Sequence, residues 1–156
     1  MQEKAISMRE AGFLGHAYYA DGKTTRAVIV VTGSDGGIDD AKYISHKFAQ
    51  QGCLAEAIGY FKVAGLSAAL SEIPLEYIAR AIGWIRAFGK EHSMTLAGYG
   101  FSKGAEYMLV AASRFQEIQA VVAVAPNDFV CEGIQRRIPL YTGKSPWRYG
   151  DKPLPH

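Results

Sequence analysis

Met94 to Ser113 reads MTLAGYGFSKGAEYMLVAAS, and this stretch decides the fold. An apolar run, Met94 to Tyr99, passes through Gly100-Phe101-Ser102-Lys103-Gly104 into apolar residues at helical spacing. A short strand, a sharp turn and a helix therefore follow one another with a serine at the apex, which is the context of a nucleophile elbow. The spacing has a chemical reason. The serine backbone sits in a strained turn, and side chains two residues before and after it would collide with the neighbouring strand and helix, so glycine occupies both places. The helix beginning after Ser102 aims unpaired N–H groups at the same point, and the Lys103 N–H is placed to bind a developing oxyanion.

Working outward, the 156 residues fit one domain by size, 1–156, with enough chain for a real core. Hydrophobic residues make up 49% and charged residues 21%, the balance of a globular chain rather than a disordered one. A net charge of +2, with Lys and Arg dispersed except for Arg136-Arg137, argues against a nucleic-acid partner. No apolar stretch has the length of a membrane span and MQEKAISMRE lacks the apolar core of a leader, so no membrane association and a cytoplasmic location are expected. Cys53 and Cys131 lack metal-ligand spacing and read as free, buried or partly buried thiols. Neither a metal nor a cofactor is expected.

Upstream, residues 11–20 (AGFLGHAYYA) read as an edge strand or hairpin arm closed by Asp21-Gly22. Ala27 to Thr32 (AVIVVT) is a continuous β-branched run, the mark of a strand buried on both faces of a mostly parallel sheet. It ends in Gly33-Ser34-Asp35-Gly36-Gly37, a loop at the carboxyl end of a buried strand, where open α/β sheets keep their ligands. A phosphate cradle and the second half of an oxyanion hole compete for it. The spacing matches no nucleotide fingerprint, and beside Ser102 the oxyanion reading is the better one, with the Ser34 N–H as donor. A helix follows from Asp39 to Gln51, then a strand from Cys53 to Tyr60 interrupted by Glu56, a loop over 62–72, and a helix opening near Pro74 and running to Phe88. After the elbow, a helix to Arg114 leads to a last strand, Ala120 to Ala125, stopped by Pro126-Asn127-Asp128. Residues 129–156 carry four of the six prolines and read as an irregular tail. Buried strands alternating with helices specify an α/β fold with a doubly wound sheet.

With these elements placed, the chain resembles the catalytic domain of the acyl-CoA thioesterase and bile acid-CoA:amino acid N-acyltransferase family, an α/β-hydrolase group. The resemblance rests on VIVVTGSDGG (28–37), Tyr60-Phe61, SEIPLEYIARAIGWI (71–85), YGFSKGAEYMLVAAS (99–113), AVVAVAPN (120–127) and KSPWRYGDKPLPH (144–156). It implies a three-layer sandwich in which Ser102 attacks a thioester carbonyl. Transferase members carry cysteine at the nucleophile position, so serine tilts the expectation toward hydrolysis. Family members continue past the KPLP segment with two more strands that bring the acid and the histidine of the triad, whereas this sequence stops at His156. The sheet is therefore expected to lack its last strands and the catalytic set to be incomplete.

The α/β-hydrolase order of nucleophile, acid and base places the base downstream of residue 102, where only His156 stands. Asp128, just past a strand end, is the candidate acid; its competing reading is an Asn-Asp turn. His16, His46 and His92 read as surface or packed residues. Glu106 either faces the pocket or, more often for such a position, is a solvated helix residue, and Lys103 reads as a solvent-facing lysine of the first turn. If the usual strand order holds, 120–125 is an uncharged edge, expected to meet a second copy, a companion polypeptide or the tail. The expected partner is a small acyl-CoA or ester substrate. Two rivals remain: a non-catalytic remnant or binding subunit, and a carboxylic-ester or dienelactone-type hydrolase.

Overall fold

The computed structural model describes residues 1–22, 24–89 and 94–156. In chain order the elements are β1 (Gln2–Ile6), α1 (Met8–Ala11), β2 (Leu14–Tyr19), β3 (Arg26–Val31), α2 (Asp39–Gln50), β4 (Leu54–Gly59), β5 (Ile73–Pro74), α3 (Glu76–Phe88), β6 (Thr95–Phe101), α4 (Lys103–Ala112), β7 (Ile118–Val124), β8 (Trp147–Tyr149) and β9 (Lys152–Pro153).

The apolar run at Ala27 to Val31 is buried throughout and forms the centre of a six-stranded sheet in the order β1-β2-β4-β3-β6-β7. β4, β3, β6 and β7 are mutually parallel, while β1 and β2 form an antiparallel margin. Alternate residues of a strand face opposite sides, so Val28, Val30, Ala55 and Ala57 pack with Ala41 and Ala49 of α2. Ile29, Val31, Leu54 and Ile58 pack on the other side with α3 and α4 through Ile78, Ile82, Tyr107 and Met108. Helices on both faces give the doubly wound three-layer sandwich. The carboxyl ends of β3, β4, β6 and β7 bring residues 33–37, 60–62, 102 and 125 to one edge of the sheet.

Several expectations are corrected. Residues 2–11 carry β1 and α1, neither read from the sequence. β1 is mostly exposed and holds its place by pairing Gln2 to Ile6 with Tyr19 to Gly15. α1 has a capping-box signal in Ser7 and Glu10: the Glu10 N–H donates to Ser7 Oγ at 3.3 Å, and Ser7 Oγ reaches the Glu10 carboxylate at 3.2 Å. Pro74 belongs to β5, which pairs in parallel with β8, and α3 starts at Glu76. The last strand of the main sheet runs from Ile118 to Val124 rather than over 120–125. The tail carries β8 and β9, which with β5 make a separate three-stranded sheet, and it buries Trp147 completely within the main core cluster. Among the described residues no strand of the tail pairs with β7. Among the described residues no helix is long and apolar enough to cross a membrane.

Candidate functional site

Ser102 joins β6 to α4 with φ 52° and ψ −121°. A side-chain-bearing residue in such a conformation costs about 1–3 kcal/mol, and hydrogen bonds on both sides hold it there. The Ser102 N–H donates to Val124 O at 2.8 Å, and Ser102 O accepts from the N–H groups of Ala105 at 2.9 Å and Glu106 at 3.2 Å. A serine preceding a helix ordinarily turns its oxygen onto a first-turn N–H. Here the side chain makes no such bond, and among the described residues the hydroxyl has no hydrogen-bond partner. The flanking glycines are required by contact. A Cβ on Gly100 would lie 2.3 Å from Gly104 O and 2.5 Å from Ala105 Cα, and one on Gly104 would lie 2.4 Å from Thr32 O.

The glycine-rich loop lies directly against this turn, since a Cβ on Gly33 would be 3.2 Å from Ser102 Cβ. Its carbonyls are tied back by the segment that follows β4. Tyr60 Oη donates to Thr32 O at 2.6 Å and lies 3.2 Å from Gly33 O, and Lys62 Nζ donates to Asp35 O at 2.8 Å. The Gly36 N–H donates to Gly33 O at 3.2 Å and the Gly37 N–H to Phe61 O at 3.1 Å. Among the described residues, neither the Ser34 nor the Lys103 N–H donates to a backbone carbonyl. Burial, with a smaller contribution from the Glu106 carboxylate, pushes the Tyr60 hydroxyl far above its ordinary range, so it remains a donor.

The side chains of Lys103 and Glu106 correct the solvent-facing reading, for they are 4% and 3% exposed. Lys103 Nζ donates to Glu106 Oε1 at 2.9 Å, to Oε2 at 3.1 Å and to Cys131 O at 2.9 Å. Trp147 Nε1 donates to Oε1 at 2.8 Å, and the Cys131 N–H to Oε2 at 3.3 Å. Asn127 Nδ2 lies 3.4 Å from Oε2. One carboxylate thus fastens both the loop after β7 and the tail to the helix that carries Ser102. Its ammonium partner is consumed internally and does not offer charge to a substrate.

Asp128 is exposed, four residues beyond Val124, on a loop that begins at Ala125 with φ 49°. Among the described residues no histidine is hydrogen-bonded to it. His16 lies 3.3 Å from Glu3 and its ring 4.8 Å from that of Tyr18, and the Tyr18 ring meets that of exposed His46 edge to face at 5.6 Å. His16 and Tyr18 lie on β2, which β4 and β3 separate from β6, and His46 lies on α2. His156 is exposed, two residues past Leu154, and His92 lies outside the described residues. Cys53 and Cys131 are free and partly buried. Among the described residues no group of three or more metal-ligating side chains occurs.

The family described as BAAT / Acyl-CoA thioester hydrolase C terminal matches residues 73–139, a span that holds α3, β6, Ser102, α4 and β7. Comparison with curated proteins returns no match. Among solved structures, the α/β hydrolase GrgF from Penicillium sp. sh18 superposes with a TM-score of 0.59 at 18% identity, over 80% of this chain and 45% of that one. A dienelactone hydrolase from Anabaena variabilis gives 0.58 at 21% identity, over 77% and 61%. A provisionally named dienelactone hydrolase from Klebsiella pneumoniae gives 0.61 at 17% identity, over 93% and 65%. The chain thus spans less than two thirds of the length of each of these structures. Identities this low show the fold alone, and that fold is the α/β-hydrolase sandwich.

Proposed function

We propose that this chain is the nucleophile-bearing part of a hydrolase acting on acyl-CoA thioesters, with Ser102 as the nucleophile. The observation that carries the reading is a hydroxyl without a helix-capping bond at a strained strand-to-helix turn, flanked by two sterically required glycines. In the reaction, Ser102 Oγ would attack the acyl carbonyl carbon while its proton passes to a base. The carbonyl oxygen would take up negative charge between the N–H groups of Lys103 and Ser34, each such donor contributing on the order of 3 kcal/mol in measured cases. Collapse would expel the thiolate and leave an acyl-serine ester for water to cleave. The family match over 73–139 favours a thioester. The dienelactone hydrolases among the solved structures favour, as second reading, a carboxylic ester.

A serine needs a base to react at neutral pH, and no described histidine is hydrogen-bonded to Ser102. Asp128 would serve as the acid once a histidine stands between it and Ser102. The chain alone should therefore turn over p-nitrophenyl esters or acyl-CoA barely or not at all, while a fluorophosphonate should still acylate the strained serine slowly. Mass spectrometry locating the adduct at Ser102, and its loss in Ser102→Ala, supports the reading. An unmodified chain after prolonged exposure overturns it in favour of a non-catalytic binding subunit. The cytoplasmic setting and the pairing of the β7 edge with a second copy belong to the same proposal.

A further inference from the structure

We propose that Tyr60 is a positioning residue for the oxyanion site, its hydroxyl setting the Gly33–Ser34 peptide so that the Ser34 N–H faces the space before Ser102. The inference rests on the serine-hydrolase reading above. In a trans peptide the C=O and the following N–H point in opposite directions, so whatever draws the Gly33 carbonyl inward turns the Ser34 N–H outward. The Gly36 N–H donates to it at 3.2 Å, and the single proton of Tyr60 Oη is shared between the preceding carbonyl, Thr32 O, at 2.6 Å and Gly33 O at 3.2 Å, so that the hydroxyl fixes the two successive carbonyls together. The outward side of this loop is the side of the nucleophile, because Gly33 abuts Ser102 Cβ.

The hydroxyl can impose this orientation because its ring does not move freely. Tyr60 is 1% exposed and stacks on Tyr107 with centroids 5.0–5.1 Å from Phe61 and Tyr107 and 6.1 Å from Trp147. Being buried, it reaches no substrate and acts through the loop alone. The remaining ties of the loop, Lys62 Nζ to Asp35 O and the Gly37 N–H to Phe61 O, hold its far end, whereas at the Gly33–Ser34 peptide only the Gly36 N–H would remain among the described residues.

Tyr60→Phe keeps the ring stack and deletes the hydroxyl. In the full chain, the Gly36 and Gly37 amides should exchange about tenfold faster with solvent, the loss of one neutral hydrogen bond, while the β3 amides are unchanged. The second-order rate of fluorophosphonate labelling at Ser102 should fall roughly ten- to a hundredfold, the effect of a misplaced stabilising group. Tyr107→Phe is the control, because it removes a hydroxyl from the same aromatic cluster that bonds Pro74 O and, among the described residues, nothing in the glycine-rich loop; it should label at the unaltered rate even if it unfolds more easily. Unchanged exchange at Gly36 and Gly37 overturns the positioning role. Equal labelling of Tyr60→Phe and the unaltered chain, with adducts present in both, overturns it too. Absence of any Ser102 adduct in the unaltered chain overturns the hydrolase reading itself.

Discussion

At the scale of single residues, Glu56 is the strongest conflict between chemistry and place. It lies mid-strand in β4, opposite Ala17 of β2 and Ile29 of β3, fully buried, and among the described residues neither carboxyl oxygen has a hydrogen-bond partner. Desolvation raises its pKa well above the ordinary 4.5, so the folded chain keeps a proton that the unfolded chain releases. Between those two values the unfolded state binds fewer protons, and stability must fall as pH rises from about 4.5 toward the raised value. Glu56→Met should remove that slope and, by eliminating an unsatisfied buried polar group, stabilise the fold by about 1–3 kcal/mol at neutral pH. Urea midpoints of both proteins across a pH series measure it; a stability difference that does not grow above pH 4.5 would defeat the argument. The sequence exposed Glu56 only as an interruption of an apolar run, because the depth of a strand depends on neighbours from elsewhere in the chain. Ser102 was legible for the opposite reason. Its turn and its two glycines are neighbours in sequence, so the motif shows within five residues, even though the carbonyl that Gly104 must clear, Thr32 O, comes from the end of β3.

At the scale of elements, α4 shows why side chains beside a recognisable motif can still be misread. Lys103 and Glu106 are polar residues in the first turn of a helix, and nothing within α4 distinguishes them from a solvated pair. What buries them is the tail, through Trp147, and the loop after β7, through Cys131. Removing one member of a buried pair costs about 3–5 kcal/mol, since the other charge is left without its partner. Glu106→Gln should therefore destabilise the chain by that amount and shift Trp147 emission to the red as the tail loosens. Lys103→Met combined with Glu106→Gln should restore much of the loss. A double-mutant cycle with no coupling between the two positions would show that the tail is held by the aromatic stack of Tyr107 and Trp147, 4.5 Å apart, rather than by the ion pair. β1 escaped the sequence reading for a related reason: its polar residues suit a protected edge strand, and only the pairing with β2 identifies it.

At the scale of the whole molecule, the two margins of the sheet are unlike. The β1 margin presents Gln2, Glu3 and Lys4, charged and polar groups that discourage further pairing. The β7 margin presents Ile118-Gln119-Ala120-Val121-Val122-Ala123-Val124, without a charge, and Val122 is 50% exposed. Among the described residues no strand pairs with its outer side, because β8 and β9 are engaged with β5. Unpaired N–H and C=O groups along seven uncharged residues are a template for strand addition, and a second copy of the same strand, running antiparallel across a two-fold axis, satisfies both chains at once. Sedimentation velocity should accordingly show a dimer that dissociates on dilution. Val122→Lys, at an exposed position where the new charge stays solvated within one chain but faces its like in a pair, should shift that equilibrium to monomer without lowering the melting temperature. A chain that stays monomeric across the accessible concentrations, or a dimer indifferent to the lysine, would mean that the edge is shielded by its twist rather than by pairing.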